Sequence, residues 1–463
     1  MAGCSTPHTK GPPAGRLIGP LALGVNLAAW DDIYGHVEAT KMTHDLESAG
    51  LALIRYPGGS WADEYDWKTN TDSSKCSNGS PTAACDSVDA LSFTSVSARA
   101  RSAGASTFAT VNYGSGTPAE AAAWVTHAAK AGRQAVALWE VGNETYSCSE
   151  TNLHLAEAPT FVKGYAPDGQ DCPSTAVLAR SYAADAPGYL KAMKQASPTA
   201  QIGVPWAFGR NQAAGAGISD APLWNTRVLR AVKGEISFVD AHWYPFNEVA
   251  GVSTQRILFS TRRIPAAAAQ IRRTLRSDAP GSTFVVGEAN ISERLTTLDF
   301  QPVSALFAAA TSLEWLSQGA QSVDWWDLNN FGAPTTGDYG LISSGSPEAA
   351  PAGTPFPAFY GEALASQLTA SGSRVKTVVA GSGKVLGFQS DRGNRREVLL
   401  VNTASSSVST DPDRWFSSGS DLEALTYSAA TADASSPIAH SNSKAARAMA
   451  LPPESIVVLA SPR

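Results

Sequence analysis

Residues 201–243 read QIGVPWAFGRNQAAGAGISDAPLWNTRVLRAVKGEISFVDAHW, and one structural unit is complete within them. Gln201–Pro205 (QIGVP) and Phe238–Trp243 (FVDAHW) are short apolar runs rich in β-branched and aromatic residues, the signature of buried strands. Between them, Leu223–Val232 repeats its apolar residues at helical spacing. A strand, a helix and a strand in succession make a parallel βαβ unit.

The same alternation extends in both directions. Towards the N-terminus lie strands Leu23–Trp30, Ala52–Tyr56, Thr107–Asn112 and Ala135–Val141, with helices Ala39–Ala49, Phe93–Ala103, Pro118–Ala131 and Val177–Ala196 between and after them. Towards the C-terminus follow helix Thr254–Arg276, strand Thr283–Gly287, helix Val303–Ser317 and strand Ser322–Asp327. Eight strands with a helix after each of the first seven predict an α/β fold closed as a (β/α)₈ TIM barrel. An open doubly wound sheet would want a glycine-rich phosphate turn after its first strand, and none is there.

Near residue 351 the texture changes. Pro351–Pro357 (PAGTPFP) breaks the pattern, and a helical stretch, Phe359–Leu368, follows. Short alternating segments come next, at Val375–Val379, Val385–Gln389, Val398–Asn402, Leu422–Ser428 and Ser455–Leu459, separated by Gly, Asn, Asp and Ser turns. The expected organisation is a disordered leader over 1–16, a barrel over 17–350, and a C-terminal antiparallel β-sandwich over 351–463.

Only 16% of the 463 residues are charged, against about 25% in typical soluble chains. The formal net charge of −6 comes with no basic run, which excludes nucleic acid as a partner. No apolar stretch reaches the length of a membrane-spanning helix. The seven histidines are scattered without metal-ligand spacing, so no metal or cofactor is expected. Cys76 with Cys85, and Cys148 with Cys172, each bracket a polar loop and read as local disulfides formed in an oxidising compartment. Cys4 is left over. Ala2-Gly3-Cys4 resembles the end of a bacterial lipoprotein signal, which makes Cys4 the expected lipid-attachment site. The chain is then extracytoplasmic, secreted or lipid-anchored at a bacterial surface.

Catalytic groups of a barrel sit at the carboxyl ends of its strands. In order, those ends carry Trp30, Arg55, Asn112, Glu144, Trp206, His242 with Tyr244, Glu288, and Trp325 with Asp327. Glu144 after strand four and Glu288 after strand seven lie on opposite sides of one ring, so both can face a central pocket. Opposed carboxylates are what glycoside hydrolysis needs, one as nucleophile and one as general acid and base. Their roles call for a raised pKa on the acid and an ordinary one on the nucleophile. Glu140 lies inside strand four and suits a structural ion pair. Arg55 can either hold Glu288 ionised or pair with a structural carboxylate. Trp30, Trp61, Trp206, Trp243 and Trp325 are candidates for stacking on a sugar ring, with core packing as the alternative for each.

Asn143-Glu144 and Glu288 together resemble the retaining glycoside hydrolases of clan A, which use a (β/α)₈ barrel, often with an accessory sandwich. The resemblance implies Glu144 as acid/base, Glu288 as nucleophile, Asn143 as a hydrogen-bond partner of the sugar 2-hydroxyl, and Tyr244 as the residue that orients the nucleophile; His242 reads as a hydrogen-bonding pocket residue. Arg55-Tyr56-Pro57-Gly58-Gly59, with Trp67 ten residues after Pro57, is similar to the α-L-arabinofuranosidases. The chain departs from that group in carrying Ala289-Asn290 after the nucleophile. The resemblance implies a retaining furanosidase on an oligo- or polysaccharide. The two disulfide loops, which follow strands two and four and are expected to wall off one end of the cleft, favour exo-action. Arg55, Asn112, Trp30, Trp206 and Trp325, at strand ends, are the other expected substrate-binding residues. The alternatives are an endo-acting glycanase on xylan or β-glucan and a silent carbohydrate-binding protein. An open cleft favours endo action, and a closed pocket favours exo.

Overall fold

The computed structural model describes residues 15–31, 39–72, 89–130, 132, 135–155, 173–213, 215, 217–330, 332–345, 350–432 and 437–461. Cys4, Cys76, Cys85 and Cys172 lie outside them, and with them the expected lipid attachment and both loop pairings.

Eight parallel strands close into a barrel: β1 (Leu23–Asn26), β2 (Leu53–Tyr56), β3 (Ser106–Val111), β4 (Val136–Val141), β5 (Ile202–Trp206), β6 (Phe238–Trp243), β7 (Thr283–Ala289) and β8 (Val323–Trp325). Each strand pairs with its sequence neighbour, and β8 pairs with β1. The helices are α1 (Ala39–Ala49), α2 (Phe93–Ser102), α3 (Pro118–Lys130), α4 (Thr175–Ala196), α5 (Ala221–Ala231), α6 (Ile264–Asp278), α7 (Pro302–Ser317) and α8 (Pro357–Ser366). Their starts follow local chemistry. Ser92 caps α2 by accepting the Ser95 N–H, and Pro222, Pro265, Pro302 and Pro357 occupy first-turn positions where a missing N–H costs nothing. The predicted single helix over 254–276 is instead a short helix, Thr254–Phe259, a 3₁₀ turn and then α6.

The barrel interior is layered. Leu53, Phe108, Leu138, Phe238 and Val285 form a small apolar cluster, one side chain from each of five strands. Two residues further along their strands, on the same face, stand Arg55, Thr110, Glu140 and Asp240. An apolar floor thus supports an ionic layer, and the catalytic face lies above it. The Arg55 guanidinium sits 5.6 Å from the Phe108 ring.

α8 packs against α7 and α1, so the ring of eight helices is closed by a segment placed after the expected boundary at 350. Every residue of α7 from Val303 to Leu316 is buried, because it is covered by the barrel on one side and by α8 and the C-terminal sheet on others. That sheet has seven antiparallel strands in the order Arg16–Leu17, β9 (Arg374–Val378), β10 (Val385–Arg392), β11 (Arg395–Asn402), β16 (Ser455–Ala460), β13 (Asp421–Ser428) and β14 (Ala439–Lys444). β12 (Val408–Thr410) and β15 (Met449–Leu451) form a second, two-stranded sheet. Strand alternation splits the apolar residues between two cores. Leu399, Val401, Ile456 and Val458 join the barrel's core, whereas Val398, Leu400, Val457 and Leu459 pack with Leu451, Trp415 and Phe416. Arg16 and Leu17 pair with Val375 and Arg374, so the chain's first described strand belongs to the C-terminal sheet and ties the two units together.

Candidate active site

Arg55 organises the site. It ends the ionic layer, is fully buried, and reaches four side chains. Nη1 donates to Asn26 Oδ1 at 2.9 Å and to Glu288 Oε1 at 2.8 Å, and Nη2 donates to Glu140 Oε2 at 3.0 Å and to Asn143 Oδ1 at 2.7 Å. Nε faces Asp240 Oδ2 at 3.5 Å. Burial opposes its charge, but Glu140, Glu288 and Asp240 outweigh that and hold the guanidinium firmly protonated. Both sequence readings of Arg55 are therefore met at once, since it pairs with the structural Glu140 and with Glu288.

Glu288 is aimed inward by a break in strand register. Val285 pairs with Asp240 on β6, but Glu288 pairs with His242, so three steps on β7 match two on β6. Such a bulge re-aims a side chain and leaves ladder groups to be satisfied elsewhere. Here side chains do it: Gly287 N–H donates to Asp240 Oδ1 at 2.6 Å, and Asn26 Nδ2 donates to Gly287 O at 2.8 Å. A Cβ at Gly287 would stand 2.1 Å from Asp240 Oδ2, so only glycine fits. Glu288 Oε2 accepts the Tyr244 hydroxyl at 2.7 Å. Burial pushes the Glu288 carboxyl up, with His242 and Arg55 pulling it back. The expectation of an ordinary value for this residue is corrected, because its site is almost closed to water.

Glu144 follows β4 in a left-handed conformation, φ 38°, and its side chain is 18% exposed. Its Oε1 accepts from Tyr146 at 3.0 Å and from His242 Nδ1 at 2.7 Å. His242 Nδ1 is also 3.4 Å from Glu288 Oε2, and Nε2 is 3.6 Å from Asp240. Burial lowers the imidazole's pKa, but Glu288, Asp240 and Glu144 together raise it well above the usual histidine value. A cation therefore stands between the two glutamates. One oxygen of each and the His242 nitrogen all lie within 4.8 Å of one another. That trio, and Glu140 with Asp240 and His242, are the described groupings with metal-ligand proximity.

Asn143 lies beside the site, with its amide oxygen accepting from Arg55. Asn112 does not. Its Oδ1 accepts from the N–H groups of Ser115 and Gly116, and its Nδ2 donates to Ser115 Oγ and Tyr65 O, so it caps the loop after β3. Trp206, Trp243 and Trp325 are packed in the core, at 1%, 0% and 2% exposure, while Trp30 and Trp61 are half-buried. Trp325 faces Phe307 on α7. The neighbouring Trp326 packs on Gly59, where a Cβ would lie 2.5 Å from its ring. Sequence reading gave no role to Asn26 or Asp63 and did not foresee the positioning roles of Asp240 and Tyr146. Asn26 and Asp240 left a signal, as polar residues inside apolar strands.

Glu144 and Tyr146 open onto a cavity of about 1330 Å³, lined also by Arg210, Asn247, Glu293, Arg294 and Tyr339. Asn290 donates to Trp326 O at 2.6 Å and ties β7 to the loop after β8.

No protein-family model and no curated protein matches this sequence. Solved structures do match. The α-L-arabinofuranosidase from Thermotoga maritima superposes with a TM-score of 0.68 at 14% identity, over 96% of this chain and 98% of that one. The family 51 α-L-arabinofuranosidase AbfB from Bifidobacterium longum gives 0.67 at 15% identity, over 96% and 97%. CelM2, a bifunctional glucanase-xylanase from a metagenome library, gives 0.65 at 16% identity, over 97% of each chain. Over nearly its whole length, this chain has the fold of the clan A glycoside hydrolases and resembles the α-L-arabinofuranosidases among them.

Proposed function

We propose that the protein is a retaining glycoside hydrolase that removes terminal furanosyl residues from an oligo- or polysaccharide. The observation that carries the reading is the proximity of Glu144 and Glu288, whose nearest oxygens lie within 4.8 Å across the barrel mouth. Carboxyl groups about 5–5.5 Å apart act by double displacement, whereas inverting enzymes hold them about 6.5–9.5 Å apart to admit water. Glu288, oriented by Arg55 and Tyr244, attacks the anomeric carbon. Glu144 gives its proton to the leaving oxygen, then takes one from the water that hydrolyses the glycosyl-enzyme. His242, hydrogen-bonded to Glu144 and beside Glu288, offsets the repulsion between the two carboxylates. Asn143 offers its NH₂ to the sugar 2-hydroxyl. The furanosidase reading rests on the Arg55–Gly59 motif and on the fold shared with arabinofuranosidases.

The open cavity beside Glu144 favours a second reading, endo-action on a glycan chain, because the acid's side of the site is where the leaving group lies. The low charge and the spacing of Cys76 with Cys85 and Cys148 with Cys172 support an extracytoplasmic location, with Cys4 lipidated; intact-mass analysis of native membrane fractions tests it. The experiment for the activity is a panel of aryl furanosides and pyranosides, assayed with wild type, Glu288→Ala and Glu144→Ala. One glycoside is expected to be cleaved with retention of anomeric configuration, as read by proton NMR. Glu288→Ala is expected to be inactive, and azide is expected to restore part of the Glu144→Ala rate. An inverted product, or wild-type rates in either variant, would overturn the mechanism. Cleavage confined to polymers would select the endo reading.

A further inference from the structure

Asp63 ends the 3₁₀ segment Gly59–Asp63 that follows β2, and it is fully buried. Its carboxylate joins two other loops. Oδ1 accepts the Tyr113 N–H at 3.3 Å, after β3, and Oδ2 accepts the Asn143 N–H at 3.2 Å, after β4. Its backbone carbonyl accepts the Ser115 hydroxyl at 3.2 Å, in the turn that Asn112 caps. The chain is pared down to let this happen. At Gly142, φ 75°, a Cβ would stand 2.7 Å from Tyr113 Cβ and 3.2 Å from Asp63 Oδ1. Two residues later Glu144 is itself left-handed, a conformation that a non-glycine residue adopts rarely and keeps only when its surroundings hold it.

We infer that Asp63 is a positioning residue for Glu144: by accepting the Asn143 N–H it fixes the Gly142–Glu144 turn, and with it the point at which the Glu144 carboxyl meets the leaving-group oxygen. The inference rests on the acid/base role proposed for Glu144. Burial pushes the Asp63 carboxyl up to about 8, against the pull of backbone N–H groups from Asn143, Tyr113 and Gly114. Two backbone N–H donors, one from each loop, occupy its two oxygens. Glu64 and Glu150 are the acidic neighbours that feel its charge, and Glu150 is engaged by Ser60 at 2.9 Å.

The test uses leaving groups. A dinitrophenolate departs without a proton, whereas a sugar or alkyl alcohol needs the acid. Asp63→Asn, which turns one acceptor oxygen into a donor facing a backbone N–H, and Asp63→Ser are compared with wild type on two glycosides of the sugar that the wild type cleaves. One carries dinitrophenolate and the other an alkyl or sugar aglycone. The readout is the ratio of the two kcat/KM values, which does not depend on the fraction of protein that is folded. General acid catalysis is worth about 10²–10⁴-fold, so a displaced Glu144 is expected to raise the ratio by about 10-fold or more. Equal losses on both substrates, no loss on either, or failure of both variants to fold would assign Asp63 a purely structural role. A wild type that cleaves neither glycoside would instead remove the proposed function on which the inference stands.

Discussion

Tyr244 and Glu288 show how single side chains set the chemistry. The Tyr244 hydroxyl donates to Glu288 Oε2 in a pocket that is otherwise costly for a carboxylate, and this bond lowers the glutamate's pKa against the upward push of burial. A hydrogen bond to a charged group is worth about 1.5–3 kcal/mol, and one pKa unit corresponds to about 1.36 kcal/mol. Tyr244→Phe keeps the ring and removes the bond, so Glu288 stays protonated to higher pH. The acid limb of the kcat/KM profile is expected to move up by about 1–2 pH units. An unmoved limb would mean that Arg55 and His242 alone hold Glu288 ionised. Gly287 acts at the same scale through what it lacks. Without a Cβ it admits Asp240, and Asp240 in turn satisfies the N–H that the bulge frees.

Between elements, the contact of α7 with α8 carries its own titration. Glu362 on α8 is fully buried and accepts the Ser312 hydroxyl of α7 at 2.8 Å. Burial pushes its carboxyl up to about 8 from 4.5, a shift opposed by the Ser312 bond. The folded state therefore holds a proton that the unfolded state has released. Its contribution is fully present below about pH 4.5 and is lost as pH rises towards about 8. The slope is at most about 1.4 kcal/mol per pH unit. Glu362→Gln keeps an acceptor for Ser312 and removes the proton. Urea melts between pH 5 and pH 8 are expected to show wild-type stability falling more steeply than that of the variant. Glu140 and Asp63 titrate in the same direction in both proteins, so they cancel from the comparison. Parallel stability curves would show that water reaches Glu362.

For the whole molecule, the barrel and the C-terminal sheet are not separable pieces. α8 buries Phe359, Leu364 and Ala365, and the Arg16–Leu17 strand leaves the barrel side to pair with β9. A buried aliphatic or aromatic side chain is worth about 1.5–3 kcal/mol, and a domain's total stability is only about 5–15 kcal/mol. A chain cut after residue 352 therefore loses an amount comparable with all it has. It is expected to give no cooperative thermal transition by circular dichroism, and a sharp transition would show that seven helices suffice. This also marks the limit of what could be read along the chain. Strand and helix periodicity in residues 17–350 determined the barrel, and position at strand ends picked out Arg55, Glu144, His242, Tyr244 and Glu288, which the fold brings together, along with Asn112, Trp206 and Trp325, which it does not; Asn143 came from the resemblance of the Asn143-Glu144 pair. The polar strand β14 (AHSNSK) was invisible, since an exposed edge strand buries no apolar face. Only the tertiary structure decided that α8 completes the barrel, that a bulge turns Glu288 inward, and that Asp63 staples three loops. Each depends on side chains far apart in sequence meeting in a close-packed interior, and no local period encodes such a meeting.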